Sequence, residues 1–168
     1  ADAKDFLFEI GTEEMPSAPL NNAVKQLGTM IAKGLDEAGL AHGEVRVISA
    51  RAAWLRSLPA DSAAARVHRV ITLGTPHGGT WAGCFSRSVN GQQMALGGEW
   101  VRQLQQEEPA ARAARFTCWY SNCDNIVFPA GTAMLAGADN RLVEGVAHMQ
   151  MAFDPAVMRA CLEEIARG

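Results

Sequence analysis

The sequence predicts an α/β protein, a three-layer sandwich on a mostly parallel sheet, in a single domain over residues 1–168. Apolar, β-rich segments alternate along the chain with segments of helical periodicity, a pattern typical of parallel strands joined by helical crossovers. Counting the strand candidates gives about five strands. The length of 168 residues also suits one domain with one hydrophobic core.

The first part of the chain is predicted to form a β-α-β unit over residues 5–48. Residues 5–10 are an apolar run that stops at Gly11, and residues 45–48 give a second short strand. Between them, Ser17 is placed to cap a helix and Gly39 to end it. Apolar residues at helical spacing indicate that helix, namely Leu20, Val24, Leu27, Ile31 and Leu35.

The remaining elements continue the alternation of strands and helices. They are a helix at 50–58, a strand at 67–73, a loop at 74–80, a helix at 98–106, strands at 115–120 and 140–146, and a final helix opened by Asp154 and Pro155. Pro59 closes the helix at 50–58, and the loop at 74–80 consists mainly of Gly, Thr and Pro.

The composition excludes several classes of protein. A hydrophobic share of 48% with 20% charged residues argues against disorder. A net charge of −3 gives no electrostatic case for binding nucleic acid. No apolar run reaches the roughly 18 residues of a membrane helix, and the first residues lack the pattern of a signal peptide. We therefore expect a cytoplasmic location.

The cysteines give no sign of a metal centre. None of the four cysteines forms a Cys-x-x-Cys pair, so we expect neither structural zinc nor any other cofactor. Cys118 and Cys123 are close enough in sequence to bridge a loop in an oxidising compartment, whereas in the cytosol we expect free thiols.

Asp124 and His148 are the candidate catalytic residues. Each follows one of two successive predicted strands, and the final helix comes shortly after His148. A catalytic histidine needs an acceptor on one ring nitrogen to hold the other towards its target, and a loop carboxylate beyond the strand ends can supply that acceptor. In a parallel sheet, we expect the two side chains to meet at one edge.

Three segments resemble bacterial triacylglycerol lipases and related esterases, in the same order along the chain. They are residues 70–80 (Val-Ile-Thr-Leu-Gly-Thr-Pro-His-Gly-Gly-Thr), 118–127 (Cys-Trp-Tyr-Ser-Asn-Cys-Asp-Asn-Ile-Val) and 145–148 (Gly-Val-Ala-His). The resemblance covers about residues 50–168 and implies a truncated α/β-hydrolase-like fold. It implies that Asp124 orients the histidine, that His148 is the general base, and that the substrate is an ester or lipid.

Two further residues are candidates for substrate binding. His77 and Gly78 lie in the Gly-rich loop of the first of these segments, which could line a substrate cleft. The alternative is that this loop is a simple tight turn.

The nucleophile of that family is missing. The family requires a Gly-x-Ser-x-Gly elbow, a pattern that this sequence does not contain. Ser49 lies at the predicted strand-to-helix junction where an elbow serine would stand, but Val47 and Arg51 occupy the glycine positions. We interpret Ser49 as the N-cap of the following helix. The alternative is a rebuilt triad of Ser49, His148 and Asp124.

The first part of the chain resembles a different family. Residues 6–16, Phe-Leu-Phe-Glu-Ile-Gly-Thr-Glu-Glu-Met-Pro, are similar to the opening of the bacterial glycyl-tRNA synthetase β subunit, and the similarity continues to about residue 49. The two resemblances together imply a chimera joined near Ser49 and Ala50.

The resulting prediction of function is a truncated, chimeric lipase-esterase-like hydrolase. It would retain the Asp and His of the triad, lack the nucleophile, and be inactive or very weak. The alternative is a non-enzymatic binding or interaction domain, which self-associates through a sheet edge left exposed by the loss of neighbouring strands.

Overall fold

A four-stranded sheet forms the centre of the part of the chain that the structure describes. The structure is a computed structural model, and it describes residues 5–10, 17–47, 67–87, 89–107 and 109–167. The strands are β1 (Asp5–Ile10), β2 (Val67–Leu73), β3 (Phe116–Ser121) and β4 (Asp139–Val143). Their order in space is β1-β2-β3-β4, and every neighbouring pair is parallel. The α/β class with a parallel sheet is therefore confirmed.

Helices or 3₁₀ turns follow each of the described strands. They are α1 (Ser17–Glu37), α2 (Trp81–Cys84), α3 (Val89–Gln93), α4 (Glu99–Glu107), α5 (Ala110–Ala113) and α6 (Pro155–Arg167), with 3₁₀ turns at Ala130–Ala133 and His148–Phe153. Helix α1 begins at Ser17, and Gly39 follows its end with a positive φ of 68°. Glycine populates that left-handed conformation without strain, which explains why the helix ends there.

The sheet carries a hydrophobic core on each face. One core consists of Val70, Ala113, Phe116, Cys118 and Leu135. The other consists of Ile71, Leu73, Met151, Val157 and Cys161. Because successive residues of a strand point to opposite faces, the neighbours Val70 and Ile71 contribute to different cores. Helix α5 packs on the first face, and helix α6 packs on the second.

The predicted strand at 45–48 does not form in its described part. Residues 45–47 belong to no strand, and the described residues contain four strands rather than about five. Val47 packs back towards α1, since its Cγ2 atom lies 3.2 Å from the position that a Cβ on Gly28 would take. Glu44 and Arg46 form an exposed ion pair of 2.7 Å. The apolar alternation of this segment thus reflects packing on a helix.

Some predictions fall outside the described residues. These are the helix at 50–58, the junction near Ser49 and Ala50, and Ser49 itself. All four cysteines are free thiols, so Cys118 and Cys123 are not bridged. None of the described helices is long and apolar enough to cross a membrane.

Candidate functional site

The candidate site lies where β3 and β4 end. The loop after β3 carries Asp124, and the loop after β4 leads to His148 at the start of a 3₁₀ turn. Because β3 and β4 are parallel neighbours, their carboxyl ends lie at the same edge of the sheet. The two loops are therefore adjacent in space although 24 residues separate Asp124 from His148.

Asp124 and His148 form a direct hydrogen bond, as the sequence predicted. His148 Nδ1 lies 2.8 Å from Asp124 Oδ2. Each side chain is only 1% exposed. A carboxylate can only accept a hydrogen bond, so Nδ1 carries a proton, and in the neutral form of the ring the remaining acceptor is Nε2.

Asp124 is held in its charged form. Burial by itself raises the pKa of this carboxyl, but the hydrogen bond to His148 and those from the backbone N–H groups of Val127 and Ile126 outweigh burial and bring the pKa below its ordinary value of 3.8. Both backbone N–H groups donate to Oδ1 at 2.8 Å. The carboxylate is therefore ionised at neutral pH and accepts hydrogen bonds on both oxygens.

Three polar side chains, from the last residue of β3 and the loop that follows it, join this loop to the one after β4. Ser121 Oγ donates to the carbonyl oxygen of Val146 and accepts the N–H of Cys123 at 3.0 Å. Asn122 Oδ1 accepts the N–H of Gly145 at 2.8 Å, and Asn125 Oδ1 accepts the backbone N–H of His148 at 3.1 Å. The role of these three residues was not predicted from the sequence. The cluster of Ser and Asn around Asp124 was the available signal, since such side chains often bond to nearby backbone.

Gly74 completes the surroundings of the histidine ring. It follows β2 with a positive φ of 62°, and a Cβ at this position would stand 2.7 Å from both Cε1 and Nδ1 of His148 and 2.8 Å from Met151 Cε. Real Cβ atoms do not approach neighbours so closely. The ring therefore packs close to the Gly74 backbone, and a side chain at this position would have to displace the ring and the end of Met151.

The structure places His77 and Gly78 away from the pair. His77 is 2% exposed and lies in the core that contains Phe116, with its ring 5.8 Å from the Phe116 ring. Its Nε2 atom lies 3.2 Å from Thr72 Oγ1 and 3.5 Å from Cys118 Sγ. Gly78 donates its N–H to the carbonyl oxygen of Thr132 at 2.7 Å. His148, by contrast, adjoins Met151 of the opposite core.

The described residues contain no group of three or more His, Cys, Asp or Glu side chains that could hold a metal ion. What the geometry offers chemically is one imidazole whose orientation and tautomer are fixed by a charged partner. Such an arrangement can accept a proton at Nε2.

Comparison with known proteins finds similarity over part of the chain. A family profile described as "Glycyl-tRNA synthetase beta subunit" matches residues 6–69. The glycine–tRNA ligase β subunit of Anaeromyxobacter dehalogenans strain 2CP-C is 43% identical over 65 residues, which are 37% of this chain and 9% of the relative. That of Pseudomonas aeruginosa strain PAO1 is 37% identical over 95 residues, 56% of this chain and 13% of the relative.

A third relative is the corresponding subunit of Lactobacillus delbrueckii subsp. bulgaricus, 50% identical over 46 residues, or 27% of this chain and 7% of the relative. The matched segments therefore span about a tenth of the length of these relatives.

These findings correct the predicted function. The prediction of a lipase- or esterase-like hydrolase is wrong, because the matching family and its relatives are glycine–tRNA ligase β subunits. The prediction relied on three short segments that resemble lipases, and on a loop aspartate and a loop histidine after parallel strands, which a fold can carry in many unrelated functions. The N-terminal region of this chain resembles the glycyl-tRNA synthetase β subunit.

Proposed function

We propose that this chain is a fragment of the glycyl-tRNA synthetase β-subunit type and that its first part serves as a structural segment of a glycine–tRNA ligase. The observation that carries the proposal is the family match over residues 6–69, together with identities of 37–50% to named β subunits. The matched segments cover about a tenth of those subunits, and we propose that this part contributes to the assembly of the ligase.

The placement of the matched segment supports this role. Residues 6–69 begin in β1, contain α1 and end in the first residues of β2. Strands β1 and β2 pair in parallel from Phe6 opposite Arg69 to Ile10 opposite Leu73. In its described residues the segment is thus a strand-helix-strand crossover built into a sheet, and a parallel sheet of this kind needs other elements to cover both of its faces.

A segment exchange tests the proposal. The 65 residues of the A. dehalogenans β subunit that align with this chain are replaced with the residues of this chain, and the attachment of glycine to tRNA is measured with the reassembled ligase. The matched control carries the corresponding segment from P. aeruginosa. We expect both hybrids to charge tRNA at similar rates. A hybrid with this chain's segment that assembles no ligase, while the control does, would contradict the proposal.

A second candidate function rests on a separate observation, the 2.8 Å hydrogen bond between Asp124 and His148. We propose that this pair is a proton-accepting site, in which His148 Nε2 takes a proton from a water, hydroxyl or thiol that reaches it. Asp124 fixes the tautomer and stabilises the imidazolium that forms. No reaction of an ester is assigned to the pair.

The tautomer tests this second candidate. Nitrogen-15 NMR of the histidine rings at neutral pH distinguishes a ring nitrogen that carries hydrogen from one that does not. We expect His148 to carry its proton on Nδ1, and we expect this signal to be absent from His148→Gln. The opposite tautomer, with the proton on Nε2, would rule out a proton acceptor at that atom.

A further inference from the structure

Two consecutive residues hold His148 from different sides. Asp124 Oδ2 accepts the ring Nδ1–H at 2.8 Å, and Asn125 Oδ1 accepts the backbone N–H of the same histidine at 3.1 Å. One contact fixes the end of the side chain, and the other fixes the backbone from which the side chain starts. A histidine ring has only two rotatable bonds beyond the backbone, so the position of its backbone largely decides where Nδ1 can reach.

The hydrogen bond that Asn125 accepts from the His148 backbone is well placed to fix the ring. The Asp124 carboxylate is itself fixed by the N–H groups of Ile126 and Val127, at 2.8 Å each, so the acceptor cannot follow a ring that moves. The Gly74 backbone also lies close to the Cε1 and Nδ1 atoms of the ring, where a Cβ would stand 2.7 Å from each. A small shift of the His148 backbone would therefore lengthen the bond between Nδ1 and Asp124.

We propose that Asn125 is the positioning residue of the Asp124–His148 pair. By accepting the backbone N–H of His148, it keeps the ring Nδ1 within hydrogen-bonding distance of the Asp124 carboxylate. Ser121 bonds to the backbone of Val146 and Asn122 to that of Gly145, two and three residues before His148. These two bonds fix the backbone of the loop that leads to His148. Asn125 alone among these three side chains bonds to His148 itself. This role of Asn125 rests on the proposed proton-accepting role of the pair, and it names the residue that holds the His148 ring in place.

Hydrogen exchange at His148 tests the inference in the full chain. The buried Nδ1–H is followed by proton NMR as a downfield, slowly exchanging signal, assigned by its loss in His148→Gln. In Asn125→Ala we expect its exchange to be about fivefold faster or more, the factor that corresponds to losing one ordinary hydrogen bond. Asn125→Asp keeps an acceptor oxygen at the same position, and we expect it to restore slow exchange.

Asn140→Ala is the matched control. The side chain of Asn140 makes three hydrogen bonds to loop backbone, one accepted from Leu135 N–H and two donated to the carbonyls of Leu135 and Ala138. Its loss removes more hydrogen bonds than Asn125→Ala does. If exchange at His148 only followed overall stability, Asn140→Ala would accelerate it at least as much. That outcome, or unchanged exchange in Asn125→Ala, would overturn the inference.

The two proposals fail in different ways. A wild-type chain without any protected ring N–H that His148→Gln abolishes would contradict both the proton-accepting pair and its positioning. A protected N–H that is present in the wild type and unaffected by Asn125→Ala would leave the pair standing and refute only the role of Asn125. Asn125→Ser, whose shorter side chain keeps the loop polar, serves the same comparison where the alanine variant does not fold.

Discussion

At the scale of single residues, the Asp124–His148 pair depends on hydrogen bonds to both oxygens of the Asp124 carboxylate. The carboxylate accepts two backbone N–H groups and one ring N–H, and both side chains are 1% exposed. A buried charge without such partners would be strongly destabilising. Changes at the pair should therefore lower the free energy of unfolding as well as alter any chemistry at Nε2.

The first prediction concerns acid stability and Asp124→Asn. The pKa of Asp124 is lower in the folded chain than its ordinary value of 3.8, so the stability that this carboxylate contributes is complete above that value and is lost as the pH falls through the folded pKa. We expect Asn to lower the free energy of unfolding by about 1–3 kcal/mol at pH 7.

The difference between wild type and Asp124→Asn should shrink as the pH falls below 3.8. Urea unfolding followed at several pH values measures it. A difference that stays constant down to the lowest pH would show that the charge of Asp124 contributes nothing to folding.

The second prediction concerns Gly74 and its contact with the ring. In Gly74→Ala the backbone strain of a positive φ is on the order of 1–2 kcal/mol, and the clash with His148 and Met151 adds about 1–3 kcal/mol. Gly97→Ala is the control, since Gly97 has a similar φ of 68° and nothing within 4 Å of the added Cβ. Chemical denaturation compares them. Equal losses in the two variants would mean that the ring moves aside freely.

At the scale of elements, one carboxylate connects helix α6 to three strands. Glu164 of α6 is 7% exposed and bonds to Thr117 of β3. It also pairs with Arg69 of β2 at 3.4 Å and with Arg141 of β4 at 3.1 Å. Arg141 in turn pairs with Asp139 and stacks 5.6 Å from the centre of the Trp119 ring. This network fixes the direction in which α6 crosses the sheet.

The third prediction removes that carboxylate. We expect Glu164→Ala to lower the free energy of unfolding by about 2–4 kcal/mol, somewhat less than a fully buried ion pair because both arginines are partly exposed. Its neighbour Glu163 is exposed, so Glu163→Ala should change stability by no more than about 0.5 kcal/mol. Thermal or urea unfolding distinguishes them. Similar small effects in both variants would show that the network contributes little.

At the scale of the whole molecule, the sheet is covered on both faces, and its outer strands among the described residues are β1 and β4. An outer strand has unpaired backbone groups on one side. Self-association through such an edge stays a prediction, which sedimentation equilibrium over a range of concentrations tests. The two cores that cover these faces also bury Cys118 and Cys161.

The fourth prediction is that thiol reactivity reports on global unfolding. Cys84 and Cys123 are exposed, whereas Cys118 and Cys161 lie in the two cores. Burial, reinforced by Glu164, raises the pKa of the Cys161 thiol to about 12, so it has almost no thiolate at neutral pH.

A disulfide reagent at pH 8 should therefore label Cys84 and Cys123 quickly and the two buried thiols only as the chain unfolds. Cys123→Ser should remove one fast thiol and leave the slow phase unchanged. Rapid labelling of all four thiols under native conditions would show that at least one core opens readily.

Local patterns in the sequence determined the elements and the approximate place of the site. The strands at 5–10 and 67–73 have the predicted bounds, because a run of apolar, β-rich residues between turn signals is visible without knowledge of its partners. The contact between Asp124 and His148 was also predictable, since loops after adjacent parallel strands must lie at one edge of the sheet. The family resemblance of the first part of the chain was likewise readable from the residues themselves.

Only the tertiary structure decided which of these residues meet. Residues 45–47 have the alternation of a strand, yet Val47 packs towards α1. His77, in a glycine-rich loop, lies buried against Phe116. The bond between Thr117 and Glu164 joins residues 47 positions apart, and that between Asn125 and His148 joins residues 23 apart. Periodicity shows which face of an element is apolar. It does not show which surface covers that face, because the covering surface depends on how distant segments pack together.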